Sequence, residues 1–169
     1  LRPHRPSGFV LKSATLDHKT VIHNYGHGGS GMSLSWGTAT MAADLAMAHG
    51  ERRAAVLGSG VVGLTTARML QRRGFAVTVY AERVPPDVTS NWSLAAWTPT
   101  SGLVEFAKRT PEWSAQLVQA AEIAYRQLQF MASPRYGISW ITNYAPTESA
   151  ESARGENALL PRHLQSEQT

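Results

Sequence analysis

An α/β fold built on a Rossmann-like dinucleotide-binding unit is what this sequence predicts, and three observations predict it. A short apolar run at 54–57 leads straight into Gly58-Ser59-Gly60-Val61-Val62-Gly63. A helix-like stretch at 62–73 ends at Gly74 and is followed by a second apolar run at 75–80. Glu82 then stands about twenty residues past the glycines, where such folds place an acidic residue.

Each piece has a physical reason. Short continuous apolar runs suit strands of a parallel sheet covered on both faces. Gly58 permits the tight turn, Gly60 lets backbone amides approach a pyrophosphate, and Gly63 lets helix and strand pack closely. Unpaired N–H groups and the positive dipole end at the start of the helix favour an anion. Within 62–73, Leu64, Ala67, Met69 and Leu70 supply the apolar positions, and Gly74 is a natural C′ residue. A carboxylate at Glu82 accepts hydrogen bonds from an adenosine ribose, which favours FAD or NAD over NADP. A glycine turn alone also occurs as plain packing, so its weight comes from the flanking elements falling in place around it.

Composition sets the bounds. The 169 residues are 43% hydrophobic and 17% charged, enough for one core. No apolar run is long enough to span a bilayer. The net charge of +4 comes without a basic tract interleaved with aromatics, which argues against a nucleic-acid partner. The absence of cysteine removes disulfides, a thiolate nucleophile and Cys-type metal sites. The chain begins with Leu1 rather than Met, so an upstream segment is expected to have been removed, and a targeting signal could have gone with it.

In chain order, the proline-rich start suits an extended approach, and 8–12 and 20–23 read as two short strands joined by the polar turn Asp17-His18-Lys19. Residues 23–31, His-Asn-Tyr-Gly-His-Gly-Gly-Ser-Gly, hold four glycines in nine positions. A helix over 33–49 follows, whose Gly37, Ala39, Ala42 and Ala43 allow very close packing. A second glycine loop therefore feeds a helix start. Past the central unit, Thr89-Ser90-Asn91 is a cluster of small hydrogen-bonding side chains. Thr110-Pro111 opens a helix to about Met131, with Thr110 as N-cap and Trp113, Leu117, Ala120, Ala121, Ala124 and Leu128 on its apolar face. A strand is expected at 138–144. The polar composition of 147–169, Leu159-Leu160 apart, reads as a surface segment or as disorder.

Taken together, RPHRPSGF, VIHNYGHGGSGMSLSWGTA and VLGSGVVGLTTARML...VYAERVPPDVTSN...AAWTP resemble the D-amino acid oxidase family of FAD-dependent oxidoreductases, over most of residues 1–144. HNYGHGGSG is the specific part; GxGxxG is not. The resemblance implies the glutathione-reductase-like FAD-binding fold with part of an antiparallel substrate domain. It also implies three regions: a segment at 1–50 that packs on the FAD domain, the FAD-binding βαβ unit with the following helix and strand at 51–146, and a polar tail or a loop to a missing segment at 147–169.

The order departs from the family's. The RPxRP and HNYGHGG segments, usually near the C-terminus, come first here, as a circular permutation would place them. The family's middle region, with most of the substrate-domain sheet, is absent. The expectation is a fragment, or one chain of a nicked enzyme completed by a second chain or segment; alone it would leave sheet edges and apolar surface uncovered.

The resemblance assigns roles by position. Gly58, Gly60 and Gly63 would hold the FAD pyrophosphate and Glu82 the ribose. Arg83, Thr89 and Ser90 match positions contacting cofactor phosphate or ribitol, while Val88 stands where threonine is frequent and one hydrogen bond is lost. Ala95 and Ala96 match residues lying along the flavin. Gly28, Gly29, Gly31, Met32 and Ser33 match the loop bracing the pyrimidine side of the ring, where amides and a helix dipole stabilise charge developing on reduction. Arg2 matches the arginine whose planar fork binds the substrate carboxylate, and the Gly29 C=O the acceptor for the substrate amine. The implied reaction is hydride transfer from substrate Cα to flavin N5, hydrolysis of the imino acid to a 2-oxo acid and ammonia, and reoxidation by O2 to H2O2. No side chain needs to act as general base.

Other readings stand beside this one. A glycine or sarcosine oxidase-like flavoenzyme would share the cofactor apparatus, and a non-catalytic FAD-binding or assembly subunit would need only the cradle. A plain NAD module leaves HNYGHGGSG unexplained. Without the resemblance Arg2 is an ordinary surface arginine, and Glu82-Arg83 without adenosine is a solvated pair. The spacing of His4, His18, His23 and His27 matches no metal pattern, so structural hydrogen bonding is expected. Tyr25 suits either packing or the site, and Trp36, Trp92, Trp97 and Trp113 suit packing in the core or beside the flavin rather than a binding cage. The chain reads as soluble, cytoplasmic or exported after removal of an N-terminal segment.

Overall fold

The computed structural model describes residues 4–100, 103–142 and 160–164. The chain opens with an antiparallel hairpin, β1 (Val10–Leu16) and β2 (Lys19–Tyr25), paired from Val10↔Tyr25 to Leu16↔Lys19. Asp17 begins the two-residue turn at φ 55°, a left-handed conformation that Asp tolerates better than most residues. Then come α1 (Gly31–Met47), β3 (Arg53–Leu57), α2 (Val61–Arg72) and β4 (Ala76–Tyr80). β3 and β4 pair in parallel, Arg53↔Ala76 to Leu57↔Tyr80, with α2 as the crossover between them. This is the expected strand–glycine turn–helix–strand unit, and with the remaining helices it makes a mixed α/β, Rossmann-like fold.

α1 is the centre of the packing. Ala39, Ala43 and Ala46 join Val56, Ala67, Met69, Leu70 and Phe75 in one core. Leu34 and Ala42 join Phe9, Leu11, Leu103, Leu117, Ala120 and Ala121 in another. A helix buried on two sides has no single apolar stripe, which is why α1 is rich in small residues rather than amphipathic. α3 (Pro111–Phe130) lies against it. Thr110 caps α3 as expected, its Oγ1 accepting from Trp113 N–H at 3.2 Å, and Pro111 fills N1, where no amide hydrogen is missed. Leu117, Ala120, Ala121 and Ala124 form the buried face.

Three expectations are corrected. No strand forms over 138–142: a single bridge, Ser133↔Ile138, closes a tight turn, and 143–144 lie outside the described residues. An extended segment becomes a strand only beside an open edge, and this one reaches none. The tail is not all surface, because Leu160 and Leu164 are buried in the Phe9 core and Trp97 Nε1–H donates to Leu164 O at 3.0 Å. Two leucines suffice to dock a short turn in an otherwise polar stretch, whose other residues, 147–159 and 165–169, lie outside the description. Trp92 is not a core residue, being 85% exposed.

One face of the β3–β4 sheet is covered by α2. On the other, Ala55, Leu57, Ala76, Thr78 and Tyr80 face outward, Leu57 being 82% exposed. Parallel sheets normally have both faces covered.

Candidate functional site

The carboxyl ends of β3 and β4 finish side by side, tied by Gly58 N–H donating to Tyr80 O at 2.7 Å. Gly58 turns the chain at φ +104°, a region open to glycine, with free space where a Cβ would sit. Gly60 is the N-cap of α2 and provides no side-chain cap. Its own φ of −71° suits any residue, but a Cβ there would lie 3.2 Å from Ser90 Oγ.

The segment after β4 folds back over this turn. Ser59 Oγ donates to Arg83 O, and Val61 N–H donates to Ser90 Oγ at 2.9 Å. The open N-terminus read from the sequence is thus partly closed, with one of its amides held by Ser90. Ser90 is half-buried, whereas Glu82, Arg83 and Thr89 are exposed at the rim. Ser59 itself escaped the sequence reading; its signal is a hydroxyl between two glycines, free to tether the next strand's exit.

The second glycine turn meets the first. Gly28, at φ +54°, begins a single 3-10 turn to Ser30 that runs into α1. A Cβ on Gly31 would lie 3.7 Å from both His27 Cβ and Val61 Cγ1, so the first turns of α1 and α2 touch. Further along, Thr65 Oγ1 reaches Ser35 O at 3.3 Å, and Arg73 pairs with Asp44 at 2.5 Å. These contacts join residues 30, 30 and 29 apart, so α1 and α2 run parallel and their positive ends open at the same edge.

The loop after β4 closes the third side. Ser33 Oγ accepts from Thr98 N–H at 2.8 Å and donates to Ala96 O at 3.3 Å. Just before, Ala95 sits at φ +58°, a strained position for a side-chain-bearing residue. Replacing Ala95 with glycine should raise stability by about 0.5–1 kcal/mol, strain relief outweighing the entropy of a freer unfolded chain. Urea denaturation reads this directly, and an unchanged midpoint would mean that no strain is stored there.

Of the residues expected at the site, Gly58, Gly60, Gly63, Arg83 and Ser90 gather at the mouth of α2, and Gly28, Gly31, Ser33 and Ala96 at the mouth of α1. Ala95 lies beside Ala96, while Gly29 and Met32 are half-buried within the α1 turn. Glu82 and Thr89 stand at the rim, with Tyr25 exposed as well. Arg2 lies outside the described residues.

His27 is 5% exposed, stacked on Phe9 with ring centroids 5.5 Å apart, and its Nε2 is 2.9 Å from Thr38 Oγ1. Burial lowers its pKa to about 4. The unfolded chain therefore binds one proton more than the folded one between pH about 6.5 and about 4. Stability is full above that window and falls as pH drops through it, by up to about 3 kcal/mol. Thermal unfolding across the window should show this loss, and a flat profile would contradict it.

The two mouths suit a dinucleotide: a turn with free space at Gly58, no side-chain cap from Gly60, and two positive helix ends at one edge. No cluster that could hold a metal ion occurs among the described residues, nor any helix long and apolar enough to cross a membrane.

Comparisons with known proteins identify the family. The chain is 50% identical over 86 residues to a D-amino-acid oxidase of Rubrobacter xylanophilus, covering 51% of this chain and 24% of that protein. It is 52% identical over 48 residues to a D-aspartate oxidase of Talaromyces thermophilus, covering 28% and 13%. A D-amino-acid oxidase of Streptomyces coelicolor is 44% identical over 46 residues, covering 27% and 14%. The chain thus spans between 13% and 24% of the length of these relatives. No solved structure matches it. The FAD dependent oxidoreductase (DAO) family matches residues 53–166, from the first residue of β3 through the glycine turn and α3. With about two thirds of its length in that match, this chain belongs to the DAO family of oxidoreductases, whose cofactor is FAD.

Proposed function

We propose that this chain forms the cofactor cradle of a D-amino-acid-oxidase-like enzyme that oxidises an amino acid or amine at its Cα–N bond and delivers the electrons to O2. The observation that carries the reading is the convergence of the two glycine turns, with α1 and α2 parallel and both N-termini at one edge. A permuted segment order is compatible with it, because the 28–33 turn reaches the 58–63 turn in space although it comes first in the chain.

In this reading Gly58, Gly60 and Gly63 let the chain close on the pyrophosphate, with Ser90 sharing the α2 amides. Glu82 takes the ribose, and Arg83 and Thr89 the neighbouring phosphate or ribitol hydroxyls. Gly28, Gly29, Gly31, Met32 and Ser33 brace one side of the ring system, and Ala95 and Ala96 leave its face free of bulk. The α1 N-terminus holds positive potential against that side, which favours negative charge there. Arg2 orients the substrate through its carboxylate, and the Gly29 C=O accepts from the amine, so the protein's part is alignment. Bound FAD supplies the two-electron acceptance that converts amine to imine.

The outward face of β3–β4 supports a second chain or segment that completes the fold. The same uncovered face favours the other reading, an FAD-binding or assembly subunit without its own turnover.

A visible absorption spectrum, before and after anaerobic addition of mixed neutral D-amino acids, tests both. Flavin bands that bleach support the oxidase. Bands that persist favour the binding subunit, or an amine such as sarcosine or glycine as substrate. Protein that shows no bands even after incubation with FAD contradicts the cradle.

A further inference from the structure

Among the described histidines His27 is the buried one, and the reaction proposed above makes no use of it. We propose that His27 is a positioning residue: held as the neutral Nε2–H tautomer between Thr38 and Phe9, it fixes the 28–33 turn against the mouth of α2 and so sets how tightly the chain holds FAD. The part concerning FAD rests on the cradle reading; the part concerning the turn does not.

The tautomer follows from the neighbours. Thr38 Oγ1 lies 3.4 Å from Leu34 O and 3.5 Å from Ser35 O, so its hydrogen goes to the helix carbonyls and its lone pair faces the imidazole. Nε2 is therefore the donor, at 2.9 Å. Nδ1, which is buried and has no partner among the described residues, keeps a lone pair. The opposite tautomer would bury an orphaned N–H, which folded proteins avoid more strictly than an unused acceptor.

The ring is clamped from three directions. Phe9 stacks on it with 13° between the planes, and Trp113 of α3 packs on Phe9 at 5.2 Å. Trp113 Nε1–H also donates to Phe9 O at 3.1 Å, so α3 holds the stacking partner by ring and backbone together. On the next side the chain passes directly into Gly28, in the left-handed region, and His27 Cβ borders Gly31, which in turn borders Val61. A displaced imidazole would therefore push the α1 turn against the first turn of α2.

Among the described residues nothing nearby is built to accept an imidazolium, since burial is what lowers its pKa. α1 carries no ionisable side chain before Asp44, and α2 none before Arg68. At the same corner Arg5 is spent on Ser7 and Gly8 O, and His23 meets the edge of Tyr25. On α3 the nearest acid along the sequence to Trp113 is Glu112, engaged with Thr110 and its own backbone.

Amide hydrogen exchange across 28–33, corrected for intrinsic rates and followed from neutral pH toward about 4, tests the turn; an FAD titration of the same proteins tests the consequence. His27→Gln keeps an N–H where Nε2 donates but cannot titrate. His27→Leu fills the space without a donor. In the wild type, protection of the turn should fall as pH approaches about 4, while His27→Gln keeps its neutral-pH protection with no such step. His27→Leu should exchange about tenfold faster in the turn at neutral pH and bind FAD about tenfold more weakly, the size of one lost buried hydrogen bond. Thr38→Val, which removes the hydroxyl that accepts from Nε2 and leaves the imidazole itself unchanged, should speed the turn similarly, and this decides the matter if His27→Leu does not fold. Wild-type protection in Thr38→Val or His27→Leu, or an acid step that persists in His27→Gln, overturns the proposal. If wild-type protein takes up no FAD, the cradle reading fails, and exchange in the turn still decides the role of His27.

Discussion

Gly37→Ala should abolish cooperative folding of the chain. A Cβ at this position would lie 1.8 Å from the carbonyl oxygen of Ala120, 2.5 Å from its carbonyl carbon and 2.7 Å from its Cα. All three are backbone atoms of α3, so no side chain can swing aside. α1 and α3 would have to part by more than an ångström, loosening the contacts that bury Leu34, Ala42, Leu117 and Ala121. Two effects compete. Alanine gains about 1 kcal/mol of helix propensity over glycine. Overpacking against rigid backbone costs about 3 kcal/mol or more, so the loss wins. Gly50→Ala is the control, because a Cβ there meets nothing within 4 Å. Denaturant titration followed by circular dichroism should show a lost or strongly shifted transition for Gly37→Ala and a near-unchanged one for Gly50→Ala. A Gly37→Ala protein as stable as wild type would show that the α1–α3 contact does not hold the fold together.

If residues 58–63 form the proposed cofactor cradle, Gly63→Ala should strongly weaken FAD binding while leaving much of the chain folded. The added Cβ would fall 2.1 Å from Gly58 O and 2.8 Å from its carbonyl carbon, inside the turn itself. Either α2 retreats from the end of β3 or the Gly58 turn opens; both spread the amides that face an anion. A cost of about 3 kcal/mol at this one spot corresponds to a loss of FAD affinity of roughly a hundredfold. The α1–α3 core lies on the other side of α1 and should keep its protection. FAD titration paired with amide exchange separates the outcomes: weak binding with an intact α3 is expected, whereas wild-type affinity would remove Gly63 from the cradle.

What could be read without the fold was local chemistry. Turn glycines between two apolar runs foretold β3, α2 and β4 within a residue or so, because strand and helix periodicities and the φ of Gly58 are properties of neighbouring residues. Thr110-Pro111 marked the start of α3 for the same reason, and the small residues of α1 announced a close approach without saying to what. The family was legible in particular strings of residues, among them the glycine turn and its flanks inside the matched 53–166.

Packing decided the rest. That Gly37 meets Ala120, that α1 lies parallel to α2 so that two glycine turns share one edge, and that Ser90 holds an amide of α2 are contacts between residues 29 to 83 positions apart, beyond the reach of any local pattern. The run at 138–142 failed as a strand because pairing needs an open edge as well as a propensity. Leu160 and Leu164 were pulled into the core because apolar burial depends on what lies opposite rather than on the polarity of sequence neighbours. The turn chemistry and the lineage of this protein belong to its sequence; the site belongs to the tertiary structure, because only there do the two helix ends meet.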